Sequence, residues 1–188
     1  LPVEAVGELW RLHHEPDPLT PALHPQGRFR FDAPAGEYPV TYANADRHGC
    51  FAEVYSDRES IPPRDATRML SQITASEPLR LIQLDDGQFL KALDPQLDGR
   101  ISTDVEYATT RQWALALHAW YPDAHGIRYT ARHATPHHNY CLLLDRCHHL
   151  LTADPQGTLA ELRDLVTRAC AAYRLAPRLH DPNDKGGW

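Results

Sequence analysis

Residues 26–55 read Q-G-R-F-R-F-D-A-P-A-G-E-Y-P-V-T-Y-A-N-A-D-R-H-G-C-F-A-E-V-Y. Glycine and proline make the first third a loop, and that loop carries Arg28 and Arg30. Tyr38 to Ala43 (Y-P-V-T-Y-A) then reads as a strand, with Pro39 at a strand start or on an edge. From Asp46 to Tyr55 the pattern turns helical, with Ala45, Cys50, Ala52 and Val54 as small or apolar contacts, and Pro62-Pro63 forbids continuation. The stretch is therefore loop, strand and helix, with Tyr42 near the end of the strand and Glu53 on the helix.

Working outward, Glu8 to His13 (E-L-W-R-L-H) alternates apolar and polar residues and predicts a strand, closed by the turn-rich Glu15 to Pro18. Leu79 to Leu84 and Gln88 to Leu93 flank Asp85-Asp86-Gly87, which predicts a hairpin. Thr103 to Glu106 has the form of a capping box. The helix it opens carries Val105, Ala108, Trp113, Ala116, Leu117 and Trp120 as a core-facing stripe and stops before Pro122. Gly126 to Ala131 and Tyr140 to Asp145 are strands, the second apolar enough to be central. A second capping box, Thr158 to Glu161, opens a final helix with Leu159, Leu162, Leu165, Val166, Ala169 and Tyr173 inward. These elements predict an α+β fold: one domain over residues 1–179, with a mixed, largely antiparallel sheet core and flanking helices. Residues 180–188 are expected to form a loose C-terminal tail.

Composition narrows the partners. With 188 residues, 42% hydrophobic and 23% charged, the chain buries a core without staples. Nineteen basic against 25 acidic residues leave a net charge of −6, so no global positive field draws in a nucleic acid. The apolar run Trp113 to Leu117 is far short of the ~20 residues of a membrane span. No charged-then-apolar leader follows Leu1, and Cys50, Cys141, Cys147 and Cys170 form no C-x-x-C pair. Reduced, mostly buried thiols and a cytoplasmic setting are expected. The sequence leaves the oligomeric state open.

Two loop arginines, a strand-end tyrosine and a helix-borne carboxylate have a chemistry in common. Guanidinium forks pair with phosphate, a tyrosine ring stacks, and a carboxylate stabilises a developing cation or holds a sugar hydroxyl. Read alone, the same residues also fit solvated loop charges, a core tyrosine and a helix-surface glutamate.

The motifs R-F-D-A-P (Arg30 to Pro34), Y-A (Tyr42-Ala43) and F-A-E (Phe51 to Glu53) resemble those of the RES domain family. W-R-L at Trp10 to Leu12 and G-I-R-Y-T-A-R at Gly126 to Arg132 match further family segments in the same order. The resemblance runs from about Trp10 to Asp145. It implies an ADP-ribosyltransferase-like fold, NAD as substrate with no further cofactor, and a partner in the form of an Xre-type antitoxin. The implied activity is NAD breakdown by hydrolysis or phosphorolysis, as the toxin of a toxin–antitoxin pair. The alternatives are ADP-ribosylation of a cellular protein and a non-catalytic NAD- or metal-binding protein. Carried over by position, Glu53, Arg30 and Tyr42 are the catalytic set, and Arg11, Arg28 and Thr130 bind substrate. Arg11 and Arg30 are assigned to the pyrophosphate, with Arg28 second to Arg30. Thr130 stands where the family has its serine, keeping the hydroxyl but adding a methyl. Phe51 occupies the position, two before the glutamate, where arginine-directed transferases carry an acid. That favours water or phosphate as acceptor.

Twelve histidines raise the question of a metal. His133-x-x-x-His137 followed by Cys141, with Cys147-His148-His149 close by, has ligand-like spacing. Pro136 interrupts it and no fourth ligand is evident, so no metal site is assigned.

Overall fold

Side chains alternate across a strand, so one short segment sorts its residues between two layers. The computed structural model describes residues 1–21, 27–58, 60–103 and 106–177. After the two-residue strand β1 (Val3–Glu4), β2 (Leu9–His13) turns Trp10 and Leu12 to one side of the sheet and Leu9, Arg11 and His13 to the other. β3 (Val40–Asn44) follows, then α1 (Gly49–Tyr55), β4 (Ser60–Ile61), β5 (Met69–Ala75) and β6 (Leu79–Gln83). The helices α2 (Gly87–Leu93), α3 (Arg100–Thr103) and α4 (Tyr107–Trp120) lead to β7 (Gly126–Thr130) and β8 (His138–Leu143). The chain closes with α5 (Leu144–Cys147), β9 (Leu151–Thr158), α6 (Arg163–Tyr173) and β10 (Ala176–Pro177).

Eight strands form one sheet in the order β1-β6-β7-β8-β3-β2-β5-β9, antiparallel throughout except for the parallel pair β6–β7. β4 and β10 make a separate parallel pair. This is the mixed, largely antiparallel α+β sheet that the sequence predicts. β8 lies inside it, between β7 and β3, as its apolar run requires. Pro39 stands just ahead of β3, an interior strand, so its missing N–H marks a strand start and not an edge.

On one face, which we call the front, Val40, Ile82, Ile127, Cys141 and Leu143 pack against Phe31, Tyr38, Ala114 and Leu117. Beside them, Leu12 and Leu70 meet α1 and α6 through Phe51, Tyr55, Val166 and Ala169. The back face buries Leu9, Ala43, Ile73, Leu81 and Leu142 under Leu19, Leu144 and Cys147. α1, at seven residues, is too short to be stable alone. Its Phe51 and Tyr55 are fully buried, and at about 1.5–3 kcal/mol for a large apolar side chain this packing holds it in place.

Three expectations need correction. Gln88 to Leu93 is not the second arm of a hairpin but lies in α2, because Asp86 acts as N-cap and accepts from the N–H groups of Gln88 and Phe89. The same D-G dipeptide that closes a hairpin also starts a helix, and Phe89, Leu90 and Leu93 have helical spacing. The capping box at Thr103 is not made: Thr103 ends α3, and Glu106 precedes α4 without a side-chain cap bond, while Asp104 and Val105 lie outside the described residues. α4 buries Thr110, Ala114 and Leu117, of which only Leu117 belongs to the expected stripe; Trp113 is only half-buried and Trp120 is 58% exposed.

The second box does form. Thr158 donates its N–H and hydroxyl to Glu161, and Glu161 returns its N–H, but α6 starts beyond it at Arg163. All four cysteines are free and buried, and burial pushes their thiol pKa values up, that of Cys147 to about 12. The expected tail falls outside the described residues.

Candidate active site

One buried carboxylate organises the loop before β3. Asp32 accepts from the backbone N–H groups of Arg28 and Phe29, both at 2.7 Å, and from the Tyr42 hydroxyl at 2.8 Å. Tyr42 in turn accepts from the N–H of Phe31 at 3.0 Å, and Tyr38 donates to the Phe31 carbonyl. The loop is thereby fixed to the front face of the sheet. Burial pushes the Tyr42 phenol well above its ordinary range, so it remains a neutral donor.

This loop separates the two arginines. Arg30 points inward and is 7% exposed. Its guanidinium lies 4.8 Å from the centre of the Tyr107 ring at the start of α4, and Nη1 donates to the carbonyl of Ile101 at 3.4 Å. Arg28 is exposed and rests against Phe29, itself 40% exposed at the rim. Between the two, Arg30 is the guanidinium held inside.

Glu53 projects from α1 toward the turn after β7. Its Oε1 accepts from the backbone N–H of His133 at 2.7 Å. The other oxygen has no hydrogen-bond partner among the described residues. α1 reaches that turn closely because Ala52, Ala131 and Ala134 pack there without bulk.

Tyr129, absent from the candidates read in the sequence, joins these groups. By alternation it shares the front face with Ile127, and its ring meets Phe31 edge-on at 4.7 Å. Burial raises its phenol pKa well above the ordinary value, Cys141 and then Glu53 add to that, and Arg30 opposes it, so both charges act on the phenol. That hydroxyl makes no hydrogen bond to a described residue. Glu53, Tyr129 and Arg30 thus form one constellation: an acid, a neutral phenol and a cation, with Tyr42 behind the loop that positions the arginine.

Two other candidates lie elsewhere. Arg11 belongs to the back face, where it donates to the Thr41 hydroxyl and lies 3.7 Å from Glu15. Burial lowers its pKa, opposed by Glu15. Thr130 is paired with His138 and by alternation shares the back face with Arg128, whose partners there are Glu4 and Asp85. The residue that points to the front is its neighbour Tyr129. No group of three or more His, Cys, Asp or Glu side chains that could hold a metal occurs among the described residues.

Comparison with known proteins follows the same lines. The chain is similar to a chain in the crystal structure of the M.tuberculosis MbcT–MbcA toxin–antitoxin complex, with a TM-score of 0.60 and 14% identity over 88% of this chain and 90% of that one. The likeness extends the α+β architecture over nearly the whole length of both. No curated protein matches the sequence. The model of the RES domain matches residues 8–169, most of the chain, and the protein belongs to the RES domain family.

Proposed function

We propose that the protein cleaves the glycosidic bond between ribose and nicotinamide in NAD, with water or inorganic phosphate as acceptor. The observation that carries this reading is a half-free carboxylate, Glu53, and an inward guanidinium, Arg30, whose charges both act on the front-facing Tyr129 phenol. As the C–N bond of the ribose lengthens, nicotinamide leaves with the bonding pair and positive charge grows on the sugar. Glu53 stabilises that charge, holds a ribose hydroxyl and takes the proton when water attacks the anomeric carbon. Arg30 pairs with the pyrophosphate, and Arg28 stands at the rim as a second cation. Tyr42 holds the loop beside the nicotinamide end, and Tyr129 donates to the substrate. Arg11 and Thr130 are outside this contact set.

Phe51 supports water or phosphate over a protein acceptor. It is fully buried, so α1 presents no acid two residues before Glu53 to activate an incoming guanidinium. The biological setting we propose is that of a toxin, neutralised by a protein partner, as in the toxin–antitoxin complex that the fold resembles.

The test is product analysis of an NAD digest with and without inorganic phosphate. Free nicotinamide with ADP-ribose identifies hydrolysis, and a phosphorylated ADP-ribose formed only with phosphate identifies phosphorolysis. Intact NAD under both conditions would overturn the reading.

A further inference from the structure

A cavity of about 430 Å³ opens on the front face beside α6, within the size range of small-molecule sites. It shares no lining residue with the Glu53 constellation. Its floor is Trp10 and Leu70, front-face residues of β2 and β5, and its walls come from the turn before α1 and the first turns of α6.

Charge is what gives the cavity a preference. Arg47, from the turn before α1, and Arg168, from α6, both line it, are both exposed, and make no ion pair among the described residues. Both are close enough to His48 that their charges help keep its ring neutral, after the larger effect of burial and against Asp46. Arg163 adds a third guanidinium, partly engaged by the carbonyl of Ala160. Of the two acids on the wall, Glu161 is occupied by Thr158, and Asp164 is left to oppose the arginines. In a chain of net charge −6, two unpaired guanidinium groups lining the same cavity as an indole are an unbalanced arrangement, and an anion restores the balance.

We propose that this groove is a second ligand site, for a small molecule that carries a phosphate. Arg47 and Arg168 take the phosphate oxygens, and Trp10 with Leu70 receives the organic part. Free phosphate and an organic phosphate share this chemistry, and the ring floor makes the second the better fit.

Trp10 supplies the readout. Purified full-length protein is titrated with inorganic phosphate, with AMP and with adenosine, following tryptophan emission, for the wild type, Arg47→Ala/Arg168→Ala, Trp10→Phe and Arg30→Ala. The expected result is saturable binding of AMP, weaker binding of phosphate that competes with it, and none of adenosine. The double variant raises the dissociation constant about tenfold or more, Trp10→Phe removes most of the signal, and Arg30→Ala leaves both unchanged. Circular dichroism checks folding, and Arg168→Glu, an exposed charge reversal, gives a second variant that must also lose binding. AMP without phosphate binding assigns the site to organic phosphates. The proposal is overturned if neither anion binds, if the double variant binds as the wild type does, or if Arg30→Ala alone abolishes binding, which would place the ligand in the Glu53 cleft.

Discussion

The Tyr42 hydroxyl donates to Asp32 at 2.8 Å, and this contact couples an interior strand to the loop that carries Arg30. Removing the hydroxyl leaves one oxygen of a buried carboxylate without its donor. Tyr42→Phe is expected to cost about 1–3 kcal/mol in urea unfolding. Asp32→Ala, which also frees the N–H groups of Arg28 and Phe29, is expected to cost more. Equal stability of both variants with the wild type would show that the loop is held by other means.

Glu53→Gln keeps the size of the side chain and its acceptor toward His133 but removes the charge. Nicotinamide release from NAD is expected to fall by about 100-fold or more, with the thermal midpoint little changed. Loss of less than tenfold would remove Glu53 from the chemistry.

Tyr129→Phe deletes only a hydroxyl that the folded protein does not use for its own bonding. Stability should stay within about 0.5 kcal/mol, the range of changes that break no internal contact. Turnover of NAD should fall about three- to tenfold, the value of one hydrogen bond. Thr130→Ala, on the opposite face, is expected to leave turnover near wild type. If Thr130→Ala is the more damaging of the two, the strand presents its other face to substrate.

Stability should fall on the alkaline side. Burial raises the pKa of Cys50, Cys141 and Cys147 and of Tyr38, Tyr42, Tyr55 and Tyr129 in the folded state. Above pH ~8.5 the unfolded chain releases thiol protons, and above ~10 phenol protons, while the folded chain retains both. The unfolded state then binds fewer protons, so the unfolding free energy decreases as pH rises. Urea midpoints at pH 7, 9 and 10.5 should decline in that order, and a flat profile would contradict the burial of these groups.

Gly126→Ala tests the sheet itself. A Cβ there would lie 2.7 Å from the carbonyl oxygen of Cys141 on β8, too close without movement of backbone. A loss of about 1–3 kcal/mol is expected, measured by thermal or urea unfolding.

The sequence exposes part of this architecture and hides part of it for identifiable reasons. β2, β3, β7 and β8 are readable because each is half or fully buried and therefore patterned. No element is assigned in advance to β5 or β9. β9 runs along an edge, and its A-D-P-Q-G segment has no buried side to produce a pattern. α2 is misread because Asp86 serves helix and hairpin equally well until the chain around it folds. Among the site residues, Glu53, Arg30 and Tyr42 come from motifs. Tyr129 stands one place before a residue selected for its hydroxyl, and only strand alternation decides which of the two faces the cleft. Tyr107 and His133 have no signal at all, since one contributes a ring face and the other a backbone N–H.

The anchor of Glu53 lies eighty residues downstream, at His133, in the turn that joins β7 to β8. During synthesis, then, the segment that carries Arg30 and Glu53 emerges well before its partner at His133. Pairings of such wide separation form late and slowly. A chain without the β7–β8 turn lacks the N–H that anchors Glu53. The carboxylate therefore takes up its position only once the strands on either side of that turn have paired.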